Sequence, residues 1–345
     1  MDGDGRGWRG DRGGHVWAKD REVVTDDGAR IRYTVRGAEH LPTIVLCSGF
    51  ICPDNFWVHL GARLMQRHRV VVLNYRGIGA STEPRPKGYR AWRLRSEDFT
   101  MERLAGDVAT VLDAEGISDA VAIGHSMGVE VALALWRTRP DLVGGLVLVA
   151  GPYASPLRTF YGSDLSATFP LVRYGVPLLP RPAQKQAVKA LRLPITMPVA
   201  RLIRALGPHT PAADMVGYRH HFGEVDPKVV VLTGEGMHRF DAGPWLHEVD
   251  VPVQILIGTA DTWAPPTTGH AMLAALPDAE LWEVHEGTHG MLIEFPDELH
   301  DLVAGFLARR FGAPAVAPAG PHPRVQGPYV STEADPTALQ YRTEA

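Results

Sequence analysis

The chain has 345 residues, 45% of them hydrophobic, and a formal net charge of −4 at pH 7. That length and apolar content suit one large α/β domain with an insertion better than two independent folds, and the mild acidity without a long block of like charge leaves no footprint for nucleic acid. Two cysteines, Cys47 and Cys52, are too few for a disulfide framework and read as small apolar fillers, and neither C-x-x-C nor H-E-x-x-H spacing is present to hold zinc.

Residues 1–18 are rich in glycine and charge and read as a flexible leader. They contain no apolar signal core, so a cytoplasmic location is expected, and no apolar run reaches the roughly 18 residues of a membrane span. Arg21 to Thr25 and Ile31 to Val35 flank Asp26-Asp27-Gly28, an Asp-Gly turn signal that predicts a hairpin. Thr43 to Cys47 and Val70 to Asn74 are buried strands, with Asn55 to Arg67 helical between them. Arg85, Lys87, Arg90, Arg93 and Arg95 form a basic, solvated loop. Phe99 to Glu115 has apolar residues at helical spacing and stops at Gly116, a C-cap. Ala120 to Ile123 is a strand, Val129 to Arg137 a helix, and Leu146 to Ala150 the next strand. This alternation predicts a mostly parallel, doubly wound sheet with helices on both faces.

Between Pro152 and Leu246 the alternation gives way to proline, aromatic residues and short helical patterns, and strands resume at Val251 to Gly258 and Ala279 to His285. Residues 19–151 and 247–312 therefore make the core, and residues 152–246 a mainly helical insertion. Within 152–245 the chain carries eleven cationic and six anionic side chains, so the insertion is net +5 and the rest −9. Lys185, Lys189 and Arg192 fall on one helix face, which reads as solvated, with contact to an acidic membrane surface as the alternative. His209, His220, His221 and His238 lack metal-ligand spacing and read as packing or surface residues. Phe160, Tyr161, Phe169, Tyr174, Leu178 and Met197 pack the insertion together or line a pocket. The tail, 313–345, repeats Ala-Pro and carries few large apolar residues, so disorder or light docking is expected.

Chemistry concentrates at Gly124-His125-Ser126-Met127-Gly128, between a strand and a helix. G-x-S-x-G suits a sharp strand-to-helix turn, because a side chain two residues either side of the serine would strike the backbone. Such a turn lifts the Ser126 hydroxyl clear of the sheet. A serine at its ordinary pKa is a poor nucleophile and needs a histidine base, itself oriented by a carboxylate. Asp261 follows the strand Val251 to Gly258, and His289 follows Ala279 to His285, both at strand ends where a parallel sheet assembles its site. Glu286, three residues before His289, is the rival acid.

In these blocks, together with Leu46-Cys47-Ser48-Gly49-Phe50 and Asn74-Tyr75-Arg76-Gly77-Ile78-Gly79-Ala80-Ser81, the chain resembles the α/β-hydrolase superfamily over residues 20 to 312. The resemblance implies that Ser126 is the nucleophile, His289 the general base and Asp261 its orienting acid. It also implies an oxyanion hole of the Phe50 and Met127 backbone amides, and a lid over residues 152–246 with Phe160, Phe169 and Tyr174 against the substrate. Two positions depart from the common pattern: Ser48-Gly49 stands where many members have His-Gly, and Asn74 where many have Asp. The first removes a side chain that braces the oxyanion loop.

The activity so implied is hydrolysis of a carboxylic ester, lactone or thioester of a largely apolar small molecule, with no cofactor and no metal. Acyl transfer, carbon–carbon bond hydrolysis and cofactor-free haloperoxidation share the same triad. A ligand receptor of the same fold is the non-enzymatic alternative, since fold alone does not fix function.

Overall fold

The computed structural model of the chain describes residues 17–85, 94–160, 163–190, 192–202, 206–312 and 322–331. Its elements run β1 (Arg21–Val24), β2 (Arg30–Arg36), β3 (Thr43–Cys47), α1 (Leu60–Leu64), β4 (Arg69–Leu73), α2 (Met101–Ala114), β5 (Ala120–His125), α3 (Met127–Thr138) and β6 (Val143–Val149). Then follow α4 (Arg181–Ala190), α5 (Thr196–Leu202), α6 (Met215–Phe222), α7 (Pro227–Arg239), β7 (Val253–Gly258), α8 (Pro266–Ala275), β8 (Ala279–Val284), α9 (Met291–Glu294), α10 (Pro296–Phe311) and β9 (Val325–Val330).

Among the described residues one nine-stranded sheet has the order β1-β2-β4-β3-β5-β6-β7-β8-β9. The six strands from β4 through β8 are parallel, while β1, β2 and β9 are antiparallel at the edges. Parallel strands covered on both faces need apolar side chains in both directions, and the period-two alternation divides them cleanly. Val45, Val71, Ala122, Leu148 and Ile255 enter one core with α2, α3 and α7, whereas Ile44, Val70, Ile123, Val147 and Leu256 enter the other with α1, α9 and α10.

The expected hairpin pairs Arg21 with Tyr33 through Val24 with Arg30, and Gly28 takes φ +81° in its turn. α2 ends as expected, with Gly116 at φ +62° and the Ile117 amide 2.9 Å from the Leu112 carbonyl. Asn55 to Arg67 is not one helix. A 3₁₀ turn, Asn55–Trp57, precedes the short α1, because Phe56 and Trp57 are drawn into the second core, where the Trp57 indole donates to Ser48 Oγ at 2.9 Å.

Both termini depart from expectation. Trp17, assigned to the flexible leader, is 5% exposed and packs with the second core; residues 1–16 lie outside the described part. The tail is not wholly unstructured. Val325–Val330 pairs antiparallel with β8, with Tyr329 against one core and Val325 against the other. A β8 left at the edge would expose a row of unpaired backbone groups, and a proline-containing strand is tolerated there. Residues 313–321 and 332–345 lie outside the described part, as do Lys87, Arg90 and Arg93 of the basic loop and Tyr161.

The segment between β6 and β7 leaves and re-enters the core at one place, where Ala154 bridges Asp241 and the Ala242 amide donates to the Tyr153 carbonyl at 2.8 Å. Its last helix is built into the molecule. Val229 and Leu232 of α7 belong to the first core, and a Cβ on Gly236 would fall 2.0 Å from the Phe99 carbonyl oxygen. Among the described residues no helix is long and apolar enough to cross a membrane.

Candidate active site

Ser126 stands between the last residue of β5 and the first of α3, with φ 56° and ψ −124°. A side-chain-bearing residue held there is strained. The turn closes because its flanking glycines leave no room for anything larger: a Cβ on Gly124 would fall 2.3 Å from the Gly128 carbonyl oxygen, and one on Gly128 1.9 Å from that of Cys47. α3 is thereby pressed onto the end of β3.

Asp261 follows the C-terminal end of β7 and is 3% exposed. Its Oδ1 accepts the backbone N–H groups of Trp263 and Ala264 at 2.8 and 3.0 Å. Those bonds aim Oδ2 at His289, whose Nδ1 is 3.0 Å away, and His289 Nε2 is 2.8 Å from Ser126 Oγ. The three side chains thus form one hydrogen-bonded line. Glu286 points elsewhere, half exposed and paired with Arg324.

Met127 is the first residue of α3, where a backbone N–H has no intrahelical acceptor and faces outward along the helix axis. Opposite it, the loop after β3 crowds Ser126, since a Cβ on Gly49 would lie 3.2 Å from Ser126 Cβ. Ser48 braces this loop in place of a larger side chain, accepting from Trp57 and donating to the Pro53 carbonyl at 3.4 Å. Asn74 likewise ties loops together: its Nδ2 donates to the Pro53 carbonyl at 3.3 Å and its Oδ1 accepts the Ala80 amide at 3.1 Å.

Of the three expected pocket residues, two lie at this end of the sheet. Phe160 meets the Trp263 ring edge-on at 4.9 Å, and Trp263 stacks on His289 at 5.5 Å. Phe169 stacks on His238 at 4.5 Å, and a Cβ on Gly234 would be 3.9 Å from both Phe169 and Phe50. Tyr174 is a correction. It is 65% exposed beneath the Arg173 guanidinium, on a π-helical turn with no buried residue. Leu178 is also exposed, while Met197 is buried. Of the four histidines of this segment, His238 bonds Ser155 Oγ at 2.9 Å and burial lowers the pKa of His221 to about 4, while His209 and His220 are exposed. A cavity of about 600 Å³ lies at the opposite end of the strands, between Thr43, His68, Asp119 and Phe311, far from Ser126.

Three contributors were not singled out from sequence. His125, inside the motif, is buried and stacks on Phe56 at 4.8 Å, and its Nε2 donates to the His289 carbonyl at 3.0 Å. Burial, reinforced by the neighbouring His289, lowers its pKa to about 3, so it holds the His289 loop as a neutral ring. Glu294 accepts from the Thr288 amide at 3.0 Å and the Thr288 hydroxyl at 2.6 Å. It also accepts from the Gly207 amide at 2.9 Å and Thr210 Oγ1 at 2.5 Å, joining the β6–β7 segment to the loop of His289. Trp263 is the third, through the stacking above. Only His125 had a local signal, its place in the motif.

Glu130, one turn into α3, is fully buried and neither carboxylate oxygen has a partner. Burial, with Glu102 adding to it, raises its pKa well above the ordinary value, so the folded chain keeps it protonated. Above a pH of about 4.3 the unfolded chain ionises and the folded one does not, so stability falls as pH rises from there toward the folded pKa. Glu130→Leu should remove that loss. The variant is expected to gain about 1 to 3 kcal/mol at pH 8, the cost of an unpaired buried polar group, and less at pH 5. Thermal melts of both proteins at the two pH values measure it; parallel pH dependences would show that the folded glutamate ionises.

The family model described as "alpha/beta hydrolase fold" matches residues 42–296. The chain is 27% identical over 265 residues to the "Putative carbamate hydrolase RutD" of Caulobacter segnis, spanning 76% of this chain and 90% of that protein. It is similar to the crystal structure of the enol-lactonase from Burkholderia xenovorans LB400, with a TM-score of 0.64 and 23% identity over 84% of this chain and 100% of that one. A thermophilic esterase from Thermogutta terrifontis gives a TM-score of 0.62 and 21% identity over 84% of this chain and 98% of that one. At these identities the structural likeness is one of fold.

Proposed function

This chain belongs to the α/β-hydrolase family and is a hydrolase, and from that premise we propose that it cleaves a carboxylic ester, lactone or thioester of a largely apolar small molecule through an acyl-enzyme on Ser126. The observation that carries the reading is the unbroken line Ser126 Oγ–His289–Asp261, with the serine on a strained turn at a helix start.

Ser126 Oγ attacks the acyl carbon as its proton passes to His289 Nε2, and the carbonyl electrons move onto oxygen. The backbone N–H groups of Met127 and Phe50 receive that oxyanion. As the carbonyl re-forms, the bond to the leaving group breaks, and His289 returns the proton to the leaving oxygen or sulfur. Water, deprotonated by His289, then attacks the acyl-enzyme and frees the acid and Ser126. Asp261 keeps Nδ1–H pointed away from the serine, so that Nε2 is the basic nitrogen, and stabilises the imidazolium.

Residues 152–246 act in this reading as a lid, and the aromatic surroundings of His289 and Phe50 favour apolar acyl or alcohol groups. Lactone and ester chemistry agrees with the names of the structural neighbours, and a carbamate with that of the curated relative. A fluorophosphonate probe separates enzyme from receptor, because only a competent nucleophile labels. A panel of p-nitrophenyl esters from acetate to palmitate, with lactones, acyl thioesters and an aryl carbamate, then ranks substrates. Absence of both labelling and turnover in folded protein would overturn the reading.

Phe160→Ala and Phe169→Ala should each raise KM for a medium-chain ester by about tenfold, or about 1.4 kcal/mol of lost apolar contact, with less effect on acetate. Tyr174→Ala, at an exposed position, should leave KM unchanged. Equal behaviour of all three variants at every chain length would mean that the pocket is lined elsewhere.

A further inference from the structure

We propose that residues 165–190 and 192–202 form a docking surface for an anionic lipid interface. The most exposed large apolar side chains among the described residues gather here. Leu178, Leu202 and Leu171 are 85, 83 and 76% exposed, and Ile195 and Leu193 are 61 and 53% exposed. Single exposed leucines are ordinary, but a concentration of them marks an interaction surface. The contrast with α7 of the same β6–β7 segment is sharp, since Val229 and Leu232 are buried in the core.

Charge identifies the occupant. Residues 163–202 carry six cationic side chains and one acid, Asp164. Arg173, Arg181 and Arg192 are matched by Glu235, Asp226 and Glu224 from outside that stretch. Lys185 and Lys189 of α4 are exposed and enter no ion pair with an acid among the described residues. Exposed leucines in one stretch of chain with lysines that pair with no described acid are the composition of a surface that inserts shallowly among acyl chains and meets anionic headgroups. Two-fold pairing with a second copy would bring the same lysines toward one another without intervening acids. The apolar side chains are spread over a π-helical turn, a 3₁₀ turn, α5 and the residues just before it, and a fluid partner can meet such separate side chains together.

The inference does not depend on the ester reading, and its test has its own readout. The full chain is sedimented with vesicles of phosphatidylcholine alone or with added phosphatidylglycerol, at low and high salt, and its mass in solution is taken by light scattering. Binding to the anionic vesicles is expected, weakened by salt and at least tenfold by Lys185→Glu with Lys189→Glu. Leu171→Ser with Leu178→Ser and Leu202→Ser should abolish it. The circular dichroism spectrum and melting temperature of both variants should match those of the wild type, showing that they remain folded. A wild-type chain that stays in the supernatant with anionic vesicles overturns the proposal. So does binding that ignores lipid charge and the lysine reversals, or a dimer that the leucine changes dissociate.

Discussion

Ser126→Ala is expected to lower kcat on any ester the protein turns over by about 10⁴- to 10⁶-fold, with the fold and its melting temperature nearly unchanged. The size follows from what the hydroxyl does in the proposed mechanism. Without it no acyl-enzyme forms, and His289 and the oxyanion amides can only assist direct attack by water. The structural cost is small, since the side chain is one hydroxyl at 2.8 Å from His289 on a turn whose shape is set by Gly124 and Gly128. Alanine also retains the Cβ against which Gly49 packs. Initial rates on the best ester of the panel, with protein from a host lacking background esterase, measure the loss. Retention of more than about a tenth of wild-type activity would remove Ser126 from the nucleophile's role, because triad removals elsewhere cost far more than that. Fluorophosphonate labelling should vanish in the same variant.

The legible parts of this site were those specified by neighbours in sequence. Only residues without a side chain fit at 124 and 128, so the turn around Ser126 was written locally, as were the strand ends that carry Asp261 and His289. Contacts across the sheet were not. Trp263 lies two residues from Asp261 in sequence, yet its stacking on His289 depends on how two loops meet. Glu294 reads as one acid in a short helix until Gly207 and Thr210 arrive from a segment more than eighty residues earlier. Periodicity placed the parallel strands well, since their alternation is a property of each strand alone. It missed β9, whose pairing is with β8 and whose composition, Val-Gln-Gly-Pro-Tyr-Val, has no clean alternation. Tyr174 shows the same limit from the other side. An aromatic residue in a helical stretch suggests burial, but the turn that carries it faces water.

Asp261→Asn should reduce kcat by about 10²- to 10⁴-fold, whereas Glu286→Gln should cost little. The aspartate is fixed by two backbone N–H groups on Oδ1, leaving Oδ2 to accept from His289 Nδ1 at 3.0 Å. An asparagine would keep the carbonyl oxygen on one side and place an NH₂ on the other. If the amide faces His289, the imidazole must accept there and carry its proton on Nε2, the wrong tautomer for receiving the Ser126 proton. If it flips, the NH₂ opposes the Trp263 and Ala264 amides and two buried donors lose their acceptor. Either arrangement also withdraws the negative charge that stabilises the imidazolium. Glu286 has neither relation to the base: its carboxylate is engaged with Arg324 from the residues that lead into β9, and its backbone amide donates to Thr259 Oγ1 at 3.0 Å. Its substitution is therefore expected to loosen the docking of that strand without altering the pH at which half-maximal kcat/KM is reached. The pH–rate profile of each variant, read beside its melting temperature, distinguishes the two effects. A large loss in Glu286→Gln with activity preserved in Asp261→Asn would reverse the assignment and require His289 to turn toward its own loop during turnover.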